Sequence, residues 1–99
     1  MNYQLIISPE AEFDIQDAFE WYEQSSTGLG SEFVRAVDGC FALIARNPLA
    51  YPKIYQEVRR VLIRRFPYGV MYVVEEDVIT IIACFHVKRD PKQWQKRNI

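Results

Sequence analysis

Between Val58 and Arg89 the chain runs through three apolar stretches that polar residues break twice. Val, Ile, Tyr and Phe dominate them, the residue types that fit a pleated, half-buried surface. Pro67, Tyr68 and Gly69 interrupt the first pair, and Glu75, Glu76 and Asp77 the second. Proline removes a ladder donor and glycine permits positive φ, so a reversal is expected near Phe66–Gly69. The pattern predicts a three-stranded antiparallel meander. In its last two strands both parities are apolar. Val70, Tyr72 and Val74 alternate with Met71 and Val73, and Ile79, Ile81, Ala83 and Phe85 alternate with Val78, Ile82 and Cys84. Strands of this kind are covered on both faces. One expected cover is a helix hairpin; the other is the C-terminal segment, a partner or a second copy. The first strand is ambiguous. Arg60, Leu62 and Arg64 share one face while Arg59, Val61, Ile63 and Arg65 share the other, so alternation alone does not choose the wet side.

Upstream, Tyr3 to Ile7 reads as a short strand, and Ser8-Pro9 as a helix start with a capping hydroxyl and a proline at the first helical position. Ala11, Ile15, Ala18, Phe19 and Tyr22 then recur at helical spacing. Glu10, Asp14, Asp17 and Glu20 fall largely off that stripe and read as a solvated acidic face. Phe13 and Trp21 form an outer flank, either core or partner surface. A second helix is expected from Gly30-Ser31 to Asn47-Pro48, with Phe33, Val37, Cys40, Phe41 and Ile44 on one face. Gly39 inside it predicts close contact with the first helix, because glycine costs about 1 kcal/mol against alanine in a helix interior. Leu49 to Gln56 reads as a connecting loop, and Asp90 to Arg97 as a capped helical turn anchored by Trp94. The expected architecture is one α+β domain over residues 1–99. A two-helix hairpin packs on a mainly antiparallel four-stranded sheet, in the order β-α-α-β-β-β, with a short C-terminal helical turn.

Composition adds three points. The longest apolar run, Val78 to Phe85, is far shorter than the roughly 20 residues of a membrane span, so no membrane role is expected. The opening MNYQLIIS carries neither a basic stretch nor a cleavage pattern, which predicts a cytoplasmic protein. Cys40 and Cys84 lie in apolar runs without metal spacing, so they read as small core residues, and neither metal nor cofactor is expected. Charge is divided along the chain. Residues 1–50 hold two cationic residues against eight acids, and residues 51–99 hold ten against five, within an overall net charge of −1. An anionic ligand is therefore expected on the second half.

Three groups of residues carry a resemblance. Pro9-Glu10-Ala11 opens an acidic helix bearing Trp21-Tyr22, followed by Gly28-Leu29-Gly30 and Phe33. Asn47-Pro48 and Tyr51-Pro52 precede Arg59, which stands seven residues before Phe66-Pro67-Tyr68, and then Tyr72. His86 is followed by Arg89-Asp90-Pro91 and Trp94. In this order and spacing the chain resembles the RelE/ParE superfamily, the toxin halves of bacterial type II toxin–antitoxin pairs. The resemblance implies a cytoplasmic toxin of a plasmid-stabilising module that arrests growth. A cognate antitoxin wraps it, as heterodimer or heterotetramer. The FPY and H-x-x-R-D-P wording is more similar to the ParE branch, whose members poison DNA gyrase without agreed catalytic residues. RelE-like members instead cut mRNA on the ribosome. No small-molecule substrate follows from either branch.

Chemistry separates the two branches. Metal-free RNA cleavage needs a base, an acid and cations at the developing phosphorane charge. Candidates for that set are His86, Glu57, Arg59 and Arg65, with Lys88 as a further cation. RelE-like enzymes carry a functional tyrosine near the C-terminus, and this chain has none after Tyr72. A pI near 5.8 is also low for a protein that neutralises ribosomal phosphates. The favoured reading is a non-enzymatic gyrase-binding toxin, with Arg59, Arg60, Arg64, Arg65, Lys88, Arg89 and Trp94 as candidates for target or antitoxin contact. The alternatives are a ribosome-dependent endoribonuclease and a non-toxic binding module of the same fold. The bland readings beside these are a structural His86, arginines that protect a strand edge, and Trp94 as a packing anchor.

Overall fold

A computed structural model describes residues 2–97. Strand β1 (Gln4–Ile7) leads into α1 (Pro9–Ser25) and α2 (Leu29–Arg46). Then come β2 (Lys53–Tyr55), β3 (Val58–Leu62), β4 (Tyr68–Glu75), β5 (Val78–His86) and the short α3 (Lys92–Gln95). The sheet has five strands in the order β1-β5-β4-β3-β2, antiparallel except for the parallel pair β1–β5. The α+β class and the helix hairpin agree with expectation. The strand count does not: part of the segment read as a loop forms β2, which pairs Lys53 with Arg59 and Tyr55 with Val58. Three residues beside two prolines carry too little periodicity to announce a strand.

Both helices start as their sequence dictates. The Ser8 hydroxyl accepts the Ala11 N–H at 3.1 Å. At the head of α2 the acceptor is borrowed from α1: Glu23 receives the N–H groups of Gly28 (2.9 Å) and Gly30 (3.0 Å). Gly28, at φ 91°, makes the tight turn between them. The acidic face of α1 is not only solvated: Asp14 corrects that expectation, being 8% exposed on a buried stripe with Ala11, Ala18 and Tyr22.

The core on the helix side contains Phe33, Val37, Cys40 and Ile44 of α2 packed with Val61, Val70, Tyr72, Ile79, Ile81 and Cys84. Val61 and Ile63 point this way, which resolves the ambiguous strand: Arg59 faces the helices, while Arg60 and Leu62 face outward. On the opposite face Trp94 of α3 packs with Val58, Met71, Ile82, Ala83 and Phe85. The second cover is thus the C-terminal segment. Simple alternation fails at one place. Met71 pairs with Ala83 but Tyr72 pairs with Ile81, leaving Ile82 without a register partner. This bulge flips the parity of β5, so Ile79 and Ile81 face the helices whereas Ala83 and Phe85 face α3.

Two further expectations change. Gly69 is not at the reversal but inside β4; the positive φ of the β3–β4 turn belongs to Arg65 (70°). Gly39 touches nothing: a Cβ there meets no atom within 4 Å, and the close approach to α1 occurs at Gly30. Cross-strand neighbours Arg59 and Tyr72 together hold the loop after α2. The guanidinium donates to the carbonyls of Leu49 (3.2 Å) and Tyr51 (2.5 Å), and the buried phenol donates to that of Pro48 at 2.6 Å. Burial pushes the Tyr72 phenol up to about 12, with Arg59 acting in the opposite direction. Tyr72→Phe orphans that carbonyl and is expected to lower unfolding free energy by about 1–2 kcal/mol, measurable by urea titration.

Candidate functional site

The face of the sheet away from the hairpin carries a groove of about 240 Å³. Its floor is Gly69 and Met71 of β4, Phe85 of β5 and the edge of Trp94; Arg60, His86 and Arg89 line it too. Each cation is placed by a local cause. Alternation puts Arg60 on this face of β3, and the missing side chain at Gly69 lets the arginine stem lie across the neighbouring strand. A Cβ at Gly69 would sit 3.0 Å from Arg60 Cδ. Arg89 follows the turn after β5 and stacks its guanidinium carbon 4.0 Å from the centre of the Phe85 ring. Its Nε–H and an Nη2–H both donate to the side-chain oxygen Oε1 of Gln93, at 3.1 and 2.9 Å, which ties the turn to α3. His86 ends β5: its Nδ1 accepts the Lys88 N–H at 3.0 Å and its ring meets Tyr68 edge-on at 5.3 Å.

Among the described residues the ion pairs are Lys53–Glu57, Arg65–Glu32 and Arg97–Asp14. Arg60, Arg64, Lys88 and Arg89 therefore have no carboxylate partner there. A positive surface over an apolar floor is open, and the arrangement suits an anionic segment that also buries a side chain.

The sequence candidates separate into distinct places. Arg60 and Arg89 share the groove with His86, and Lys88 stands exposed in the adjoining turn. Arg59 is spent on the Leu49 and Tyr51 carbonyls on the other face. Arg64 and Arg65 occupy the β3–β4 turn beside α2, with Arg65 3.8 Å from Glu32. Glu57, in the β2–β3 turn, is engaged by Lys53 at 3.0 Å. Trp94 is buried edge-on to Tyr55, with its rings 5.8 Å apart. His86, Glu57, Arg59 and Arg65 are thus not brought together.

Sequence reasoning missed the group that seats α3. Asp14 and Arg97 form a two-pronged pair, Nη1 to Oδ2 at 2.7 Å and Nη2 to Oδ1 at 2.9 Å. Asp14 Oδ2 also accepts the Cys84 N–H at 3.0 Å, and Arg97 Nη1 donates to the Ile82 carbonyl at 2.7 Å. β1 ends opposite Ile81, so the edge of β5 beyond it is finished by two side chains instead of a strand. An acid among the Ala11 and Ala18 positions was the available signal. Burial also raises both thiols, Cys40 to about 12. Neither thiol should react with a disulfide reagent at pH 8 until the chain is unfolded in guanidinium; fast native reaction would contradict their burial. No cluster of metal-ligating side chains exists among the described residues, and no helix there is long and apolar enough to cross a membrane.

The sequence model of the family described as the ParE toxin of the type II toxin–antitoxin system parDE matches residues 5–91. The chain belongs to the ParE toxin family. No curated protein matches it in sequence. Among solved structures, the fold is similar to a chromosomal ParDE toxin–antitoxin system from P. aeruginosa. The TM-score is 0.65 at 16% identity, over 85% of this chain and 95% of that one. It is also similar to the RelBE2 toxin–antitoxin complex from Mycobacterium tuberculosis, with TM-score 0.60 and 16% identity over 87% and 99% of the two chains. At such identities the likeness is one of fold.

Proposed function

We propose that this ParE-family chain arrests growth by gripping a protein target, DNA gyrase, through the Arg60–Arg89 groove, and that a cognate antitoxin neutralises it. The observation that carries the non-enzymatic reading is the dispersal of the candidate nuclease groups. Glu57 is paired with Lys53 in one turn, Arg59 is bonded to a loop on the far face, and Arg65 lies beside α2. General acid–base chemistry needs its groups within hydrogen-bond reach of one substrate. Two guanidiniums with no carboxylate partner among the described residues, in a groove lined by Met71 and Phe85, instead supply the charged, aromatic-rich character of a protein interface. The solved ParDE and RelBE2 systems are toxin–antitoxin assemblies, which supports a protein that covers this chain at rest.

The second reading is a ribosome-dependent endoribonuclease, favoured by one fact: His86 lines the same groove as Arg60 and Arg89. A direct comparison separates the two. Purified protein is added to a gyrase supercoiling reaction and, in parallel, to a translation extract. Inhibited supercoiling with intact mRNA is expected. Codon-aligned mRNA cuts that His86→Ala abolishes would replace the first reading by the second.

A further inference from the structure

Two strands end the sheet, and the chain guards only one of them. β2 closes one side. It is three residues long, follows Pro52, carries the charge of Lys53 and breaks register between Lys53 and Tyr55. Short length, proline, charge and a bulge are the devices that keep an edge strand from pairing with another chain. β1 closes the other side without the last three. It keeps one register along β5, and residues 2–8 include neither proline nor a charged side chain.

The backbone shows which groups this leaves over. The Gln4 N–H donates to the Asp77 carbonyl at 2.9 Å and the Ser8 N–H to that of Ile81 at 3.0 Å. Gln4, Ile6 and Ser8 therefore turn their backbone groups toward β5, and alternation turns those of Leu5 and Ile7 outward. Among the described residues no strand lies on that side. The side chains divide the other way. Leu5 and Ile7 pack against the core beneath the helices, whereas Ile6 packs with neither core cluster and is 44% exposed. An uncharged row of backbone groups and a large apolar side chain thus meet water at the same place.

We propose that β1 is completed by the β1 of a second copy of this chain, antiparallel across a two-fold axis at Ile6. In that register Leu5 of each copy lies opposite Ile7 of the other, and each such pair exchanges both of its backbone hydrogen bonds. Ile6 then faces its own counterpart in a non-hydrogen-bonded pair, where Cα atoms are only about 4.5 Å apart and side chains are closest. The exposed isoleucine is buried against itself, and two five-stranded sheets become one. A two-fold contact must be complementary to its own copy. A charge-free strand centred on one apolar residue meets that requirement, since no like charges are brought together at the axis. The contact is short, so the association belongs to the weak, small-interface class. It involves neither the Arg60–Arg89 groove nor the target and antitoxin readings.

The test follows the full chain by sedimentation between about 1 μM and 1 mM, the span in which a weak dimer forms. Monomer is expected to give way to dimer as concentration rises. Hydrogen exchange on the same samples should show the Leu5 and Ile7 amides slowing with concentration, while the Gln4 and Ser8 amides are protected throughout. Ile6→Lys, checked as folded by its melting curve, places like charges at the axis and should weaken self-association by at least about tenfold. Ile6→Glu should do the same, and mixing the two variants should restore a dimer. A chain that stays monomeric to the highest concentration overturns the proposal. So does a dimer in which the Leu5 and Ile7 amides exchange at the monomer's rate, because another face then pairs. Protection of these amides only when a different protein is added would give the edge another occupant and overturn it as well.

Discussion

Arg97→Ala is expected to lower unfolding free energy by roughly 3–5 kcal/mol, the largest effect of any single truncation considered for this chain. The Arg97 and Asp14 side chains are 17% and 7% exposed, so the pair is shielded from solvent. Its own net worth is modest, because desolvating two charges offsets much of their attraction. The cost arises from what is left behind. Without Arg97, the Asp14 carboxylate stays fixed on α1 with the Cys84 N–H as its remaining donor, and the Ile82 carbonyl at the bulge loses the N–H it accepts. Asp14→Ala should cost less, since the freed guanidinium sits on a long side chain that is already 17% exposed and can turn toward solvent. In the double variant Asp14→Leu/Arg97→Met no charge is stranded. It should recover most of the loss but not all, because the Cys84 N–H and Ile82 carbonyl remain unpaired at about 1–3 kcal/mol each before water reaches them. Chemical denaturation of the four proteins measures the cycle. Equal losses in both single variants with no recovery in the double would show that the pair does not hold α3 as described.

Gly30→Ala is expected to destabilise by about 1–3 kcal/mol, the range for forcing atoms into a packed contact. The new Cβ would meet the Phe19 carbonyl oxygen at 2.7 Å, the Phe19 ring at 2.8 Å and the Glu23 carboxylate at 2.9 Å. Two of these neighbours cannot yield cheaply. The first is backbone, and the third is the group that accepts the Gly28 and Gly30 N–H bonds at the start of α2. Separating the helices to admit the methyl would therefore also loosen that cap. Gly39→Ala in the same helix has the opposite expected sign, about 1 kcal/mol stabilising, since nothing crowds it. Thermal melts of the two variants should move in opposite directions. A shift in the same direction would mean that one of the two glycines is misplaced in the packing described.

Local rules located most elements and failed where two distant segments decide. Ser8-Pro9 announced α1 because capping is a property of neighbouring residues, and Asn47-Pro48 announced the end of α2 for the same reason. β2 was missed because a three-residue edge strand exists only by virtue of β3 beside it. The flip of β5 at Ile82 is invisible in a period-two pattern whose residues are apolar at both parities. Asp14 was misjudged because its partner lies 83 residues away, and no spacing rule joins them. The arginines show the same division. Their clustering was plain in the sequence, but which were open depended on strand direction. Arg59 and Arg60 are adjacent in the chain and face opposite sides of the sheet, one holding a loop and one lining a groove.

That difference between neighbouring arginines gives the most direct measurement. Wild-type protein and the double variant Arg60→Glu/Arg89→Glu are compared in a gyrase supercoiling assay, after melting curves establish that both are folded. The expected result is inhibition by the wild type and loss of at least about 100-fold in potency when both charges are reversed. Undiminished inhibition by the folded double variant would contradict a grip through this groove.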